Sequence, residues 1–364
     1  IPFSGAGMSV DLDGSAPLSL ANRFLADRGT QVGGTLVLGG SVSGSVSQPV
    51  IRGSFSTAGA QVVDPETNLR LGSINIQGTV DGETVRLVSA SGALASGGTV
   101  SASGTVSTNA AAGFPADLRI VLDRARYADG DMVVATVNGT LAVSGALTRD
   151  PLLSGQIDVE RAELTVPDNF SGGAAAIDVI HVNPPPAVRT TLERARANDG
   201  TPTPSARPSV LRLDVGVSAP ARIFVRGRGL DAELGGNVRL TGPVTDIQPV
   251  GGFQLIRGRL SILGQRITFD EGTVTLVGDL DPFLNFVARS EGSDITVFIT
   301  VSGRISDIAV SFSSQPELPE DEVLARLIFN RSISELSALQ IAQLAAAAAE
   351  LAGGSNTSLL GSLR

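Results

Sequence analysis

The stretch GGFQLIRGRLSILGQRITFDEGTVTLVGDLDPFLNFVARS, residues 251–290, decides the fold. Apolar and polar residues alternate along it, and Gly-Gln, Gly-Asp and Asp-Pro steps cut it into short runs. A period of two broken by tight turns marks half-buried strands rather than helix. Successive side chains of a strand point to opposite faces, so the alternation sorts the residues into an apolar set and a wet set. The apolar set takes Phe253, Leu255, Leu260 and Ile262 from the first run, Phe269, Val274 and Leu276 from the second, and Phe286 from the third. Two further segments, DITVFITVSG (294–303) and VSGRISDIAVSF (301–312), add Val297 and Ile299, then Val310 and Phe312. These are the candidates for one continuous apolar face. A one-residue slip in pairing would exchange the two faces.

The same pattern fills the chain upstream. TLVLGGSVSGSVS (35–47) and LGSINIQGTVDGETVRLVSASG (71–92) alternate Val, Leu and Ile with Ser, Thr and Gly. Turn signals recur about every 8 to 12 residues, which predicts about 25 short strands. A loose repeat of strand, Gly, branched residue and Pro appears at 42–53, 143–155 and 240–252, with Pro49, Pro151 and Pro249 lying 102 and 98 residues apart. A degenerate fourth copy lies at 301–312. Residues 183–208 break the pattern with six prolines and read as a long surface loop with one helical turn at TTLERARA.

Downstream the period changes. LPEDEVLARLIFNR (318–331) has Pro319 at the first helical position, acidic Glu320, Asp321 and Glu322 in the first turn, and a stripe of Val323, Leu324, Leu327 and Ile328. A second helix is expected from Ser332, with Glu335 completing a capping box, Leu336, Leu339 and Leu344 on its apolar side, and Gly353 and Gly354 stopping it.

Composition narrows the chemistry. The net charge is −9, all 27 basic residues are arginines, and no basic patch is interleaved with aromatics, which argues against a nucleic-acid partner. There is no Cys and one histidine, His181, so thiolate metal sites and nucleophilic triads have almost no material. GRGLDA (227–232) matches a dinucleotide fingerprint, but Gly235 and Gly236 follow too soon for the helix that such a site needs. The acidic pairs Asp11 and Asp13, Asp129 and Asp131, and Asp279 and Asp281 complete no calcium loop and read as ordinary turns. No catalytic, cofactor or metal site is expected. No apolar run reaches the roughly 18 residues that span a bilayer as a helix. The chain begins at Ile1 without a basic and apolar leader, which fits a piece or a processed form of a longer protein.

What remains is a sheet with one apolar face, which either closes into a sandwich or stays open as a trough. Composition does not choose between the two. An open trough could hold an acyl chain: about 15 methylenes at ~0.8 kcal/mol each amount to ~10 kcal/mol.

The segments 227–242, 251–288, 294–316 and 318–331 resemble the C-terminal region of the TamB family, the translocation and assembly module subunits related to AsmA-like proteins. The likeness is specific from about Val210 to Gly354, while residues 1–183 agree only in style. The resemblance implies an all-β fold: a long curled, taco-like sheet or open β-solenoid with an apolar groove, followed by two C-terminal α-helices. It divides the chain into a repetitive sheet (1–183), a Pro-rich loop (184–208), the family's taco region (209–316), amphipathic helices (317–354) and a tail (355–364). It implies a non-enzymatic periplasmic protein, anchored to the inner membrane by an N-terminal segment not present here. Phospholipid or another apolar client would occupy the groove, and Val323, Leu324, Leu327 and Ile328 would pack on the groove or its rim. A TamA-like outer-membrane barrel would be the partner, although family members continue past SLLGSLR into strands that engage it.

Two other readings stay open. A secreted structural or adhesive β-solenoid would have tighter repeats and a covered core. A polysaccharide-acting β-solenoid enzyme would bring carboxylates together in a cleft.

Overall fold

The computed structural model describes residues 8–25, 29–45, 48–65, 67–130, 132–166, 210–227, 229–262, 265–292 and 294–351. His181, Asp131, the Pro-rich stretch 184–208, the Gly353–Gly354 stop and the tail 355–364 lie outside them, as does the side chain of Ile262.

The first strands are β1 (Met8–Pro17), β2 (Gln31–Gly33), β3 (Thr35–Ser45), β4 (Gln48–Asp64), β5 (Leu69–Asp81) and β6 (Thr84–Leu94). They continue with β7 (Thr99–Ser107), β8 (Pro115–Asp129), β9 (Val133–Ala146), β10 (Leu152–Thr165), β11 (Arg212–Gly227) and β12 (Leu230–Pro243). The last are β13 (Gln248–Ile262), β14 (Gln265–Val277), β15 (Phe283–Glu291), β16 (Thr296–Arg304) and β17 (Asp307–Gln315). Two helices follow, α1 (Glu320–Phe329) and α2 (Ala338–Leu351).

All 17 strands belong to one sheet. β1 pairs with β3, and β3 and the short β2 pair side by side with β4. From β4 onward each strand pairs with the next, antiparallel everywhere except between β10 and β11. That parallel pair means the chain leaves β10 at one edge of the ribbon and enters β11 at the other. The ladder crosses this point without a gap. No pairing joins β1 to β17 among the described residues, so the sheet is not closed. At ~4.8 Å per strand the ribbon is roughly 70 Å long.

The strands are fewer and longer than the turn signals predict, reaching 17 residues in β4. Many glycines that read as turns lie inside strands. Gly40 and Gly53 face each other across β3 and β4, where a Cβ on either would run into the opposite backbone. The loose repeat is a hairpin device. Gly44, Gly145, Gly242 and Gly303, with φ of 98°, 93°, 91° and 118°, come at the ends of β3, β9, β12 and β16, before the turn into the next strand.

The ribbon curls at bulges. Register shifts fall at Leu122/Ala125 in β8, Val159/Arg161 in β10, Ala219/Ile223 in β11 and Phe269/Glu271 in β14. Pairing aligns them into a crease across the middle of the strands. Similar shifts interrupt β4, β5 and β6. Ser73, Arg124 and Arg222 adopt positive φ at such shifts. A bulge bends its strand and increases the local twist, so a row of them folds the ribbon lengthwise. Val215 and Val238 are 3% and 6% exposed although no helix or second sheet lies over them among the described residues. The folded ribbon itself covers them.

The helices depart from the expected caps. Pro319 is the N-cap and Glu320 the first helical residue. Ser332 begins a 3-10 turn (Ile333–Glu335), and its hydroxyl donates to Glu322 Oε2 at 3.3 Å instead of capping a helix. The capping box forms at Ser337 and Gln340: Ser337 N donates to Gln340 Oε1 (2.9 Å) and Gln340 N to Ser337 Oγ (3.4 Å). GRGLDA lies at the end of β11 and the start of β12, with a strand where a dinucleotide site needs a helix.

Candidate functional site

The strand registers join the apolar residues of neighbouring strands into continuous rows. One row runs Leu38, Phe55, Gly78, Leu87, Gly104, Leu118, each residue directly opposite the next. It continues through Val143, Leu153 and Leu213 to Gly242. Beside it, Ile157, Val217, Val238, Gly251 and Leu276 form a second row. Large side chains lean over small ones: a Cβ on Gly78 would strike the Phe55 ring, and one on Gly272 the Phe286 ring.

The residues singled out between 253 and 312 fall on this same face. Phe253 pairs with Val274, Phe286 with Val301 and then Val310, and Ile299 with Phe312. Leu255 lies opposite Leu234, Leu260 opposite Ile267, and Phe269 opposite Ala288, which in turn meets Ile299. Phe269 and Phe286 meet edge to face at 5.8 Å. Val297 and Ile299 are buried, while Phe253, Leu255, Leu260, Phe269, Val274, Leu276, Phe286, Val310 and Phe312 are half-buried. The upstream half of the rows, from Leu38 to Leu213, was not singled out by sequence. The period-two signal was present there, but many of its members are glycine or alanine.

The opposite face is wet. Cross-strand ion pairs tie Arg52 to Asp81, Asp214 to Arg239, Glu233 to Arg257 and Asp231 to Arg259 at 2.7 to 2.9 Å. Exposed pairs of this kind contribute little to stability, so they mark the solvated side more than they hold the sheet. The Arg226 hydrogen bond keeps the Asp231 carboxyl below its usual range, and Arg161 does the same for Glu163. The carboxylates are thus spread along the ribbon opposite arginines. Among the described residues no group of His, Asp and Glu has the arrangement to hold a metal. Asp279 and Asp281 are engaged by Arg304 and Ser306.

The two ends of the trough differ. Around β1 to β4 its apolar face meets solvent, with Leu12 54% and Leu38 44% exposed. At β16 and β17 the face is covered by α1. Val323 and Leu327 are buried against Ile267, Ala288, Val297 and Ile299, with Phe269, Val310 and Phe312 packed at the side. Leu324 turns instead toward Leu336 and Leu344 of the following segment, where Ile328 also packs. The stripe therefore splits: one half seals the trough and the other holds α2. Glu322 latches α1 in place. Its carboxylate accepts from Arg326 Nε (2.7 Å), Ile333 N (2.9 Å) and Ser332 Oγ (3.3 Å). Chiefly the Ile333 amide, then Arg326, holds that carboxyl below the ordinary glutamate range.

Comparison with known proteins agrees with this geometry. The chain is 25% identical over 189 residues to the translocation and assembly module subunit TamB of Haemophilus influenzae, a match that covers 50% of this chain and 14% of that protein. The chain therefore spans only a small part of that relative's length. No helix among the described residues is long and apolar enough to cross a membrane. The family model of the TamB C-terminal domain matches residues 88–364, from β6 through the trough and both helices, and the chain belongs to that family.

Proposed function

We propose that the trough is a conduit for acyl chains and that this chain is the lipid-carrying part of a TamB-like subunit of a translocation and assembly module. The observation that carries the reading is the apolar face itself. It runs from β1 to β17 along the curled sheet, with large apolar residues exposed at the β1–β4 end and α1 packed over it at β16 and β17. In the middle strands the face is shielded only by the fold of the ribbon itself, and at the β1–β4 end it meets solvent, an exposed apolar surface that calls for a ligand.

In this reading the protein is not an enzyme. It works in the periplasm, tethered to the inner membrane by a part of the longer protein, and moves phospholipid toward the outer membrane. Its partner there is a TamA-like barrel, and supply of lipid supports assembly of outer-membrane proteins and autotransporters. The solvated face, cross-linked by Arg–carboxylate pairs, suits an aqueous compartment.

Native mass spectrometry of the purified chain under mild conditions tests the proposal. Phospholipid should be released from the wild type, and Val217→Asp, which puts a charge in mid-trough, should reduce it severalfold. A well-folded wild type from which no lipid is recovered would contradict the reading.

A further inference from the structure

One edge of the ribbon carries a second apolar feature outside the trough. β12, β14 and β16 end at this edge, and β13, β15 and β17 begin there. Between residues 210 and 316, most of the large apolar residues that are well exposed lie along it: Val244, Val250, Val277, Leu280, Phe283 and Ile305. Leu280 is 66% and Val277 71% exposed. Val250 and Val277 are directly paired, so the residues form a strip and not scattered points.

The strip is rigidly built. Arg304 Nη1 donates to the Asp279 carboxylate (2.9 Å) and to the Asp281 carbonyl (2.8 Å). Ser306 donates to both Asp281 carboxylate oxygens, from its amide (3.1 Å) and its hydroxyl (2.5 Å). Gly278 N reaches the Pro249 carbonyl at 2.8 Å. The β14–β15 and β16–β17 tips are thereby fastened together and to β13, with Leu280 and Ile305 at their apices. Elsewhere on the outer face a large apolar ring is covered: Arg161 and Arg226 lie over Phe224 at 4.7 and 4.9 Å. Phe283 has no such cover among the described residues, because Arg304 opposite it is directed to Asp279.

We propose that this edge docks on a bilayer surface, the hairpin tips dipping their apolar apices among the headgroups. A row of convex tips fits a flat, yielding surface better than a shaped protein pocket. The charge around it selects the surface. Asp246, Asp279, Asp281 and Asp307 flank the strip against Arg304 and, beside Val244, Arg212; this acidic excess repels anionic headgroups and suits zwitterionic ones with an accessible ammonium, such as ethanolamine lipids. The edge is also a lip of the trough, since Ile308 faces Gly303 and Leu284 on the inner face. A docked lip would place the leaflet beside the trough. In that respect the inference rests on the lipid reading of the trough.

Flotation of the purified chain with phosphatidylcholine–phosphatidylethanolamine vesicles tests it. The wild type should co-float, and Leu280→Ser/Phe283→Ser/Ile305→Ser should lose about tenfold or more of the bound fraction. Leu280→Ser alone, at an exposed turn, should lose part of it and guards against misfolding of the triple variant. Val217→Asp should float like the wild type, and the triple variant should retain the lipid seen by native mass spectrometry, so the lip and the trough fail separately. Equal flotation of wild type and triple variant, or none by either, overturns the proposal. So does binding that requires phosphatidylglycerol and vanishes with salt. A wild-type dimer that the triple variant dissolves would assign the strip to a second copy of the chain instead.

Discussion

Gly272 shows how the trough is packed residue by residue. It lies under the Phe286 ring, where any side chain would have to displace the aromatic. Gly272→Val should therefore lose about 1–3 kcal/mol in chemical denaturation, while an exposed outer-face change such as Thr273→Val should stay within ~0.5 kcal/mol. Glu322 is the second informative residue. Its carboxyl is held low when folded, so its contribution is present above the ordinary glutamate pKa of about 4.3 and fades as pH falls through the lowered folded value. Glu322→Gln should destabilise the docked α1 by about 1 kcal/mol near neutral pH. The difference between variant and wild type should shrink in acid, as followed by amide exchange in α1. A difference independent of pH would assign the latch to shape instead of charge.

At the scale of elements, α1 is both a stopper and a bracket. Val323→Ser with Leu327→Ser removes the half of its stripe that meets the sheet and leaves Leu324 to hold α2. Exchange of α1 amides should rise by a hundredfold or more, about 3 kcal/mol of lost docking, while β8 to β12 keep their protection. Uniform loss of protection would mean that α1 is part of the global fold and not a separable cover. Much of this element was legible in the sequence. The acidic first turn and the 323, 324, 327, 328 spacing are local signals, and both stand in the structure. The cap of α2 was not legible. Ser332 with Glu335 and Ser337 with Gln340 are equivalent patterns in one dimension. Only the fold brings Glu322 to Ser332 and Ile333, which takes the first pattern out of use.

At the scale of the whole molecule, alternation revealed the strands, and the family resemblance supplied the curl. The number of strands was not legible, because glycine serves both as turn and as the point of close approach between Gly40 and Gly53. Nor was the crease: Leu122/Ala125 and Ala219/Ile223 become parts of one line only when distant strands are paired. The upstream rows stayed hidden for the same reason, since Gly78 and Gly104 gain apolar meaning only from Phe55, Leu87 and Leu118 opposite them.

The central claim is that acyl chains travel along one face of this ribbon. A photo-crosslinking scan in living cells reads it directly, with a photoreactive amino acid placed in turn at Leu141, Val143, Ile157 and Leu240 on the inner face and at Thr140, Ala142, Gln156 and Thr241 on the outer. Phospholipid adducts should appear at the inner positions and be absent one residue away, an alternation repeated in β9, β10 and β12. Adducts without that alternation, or none at the inner positions of a folded protein, would contradict the conduit.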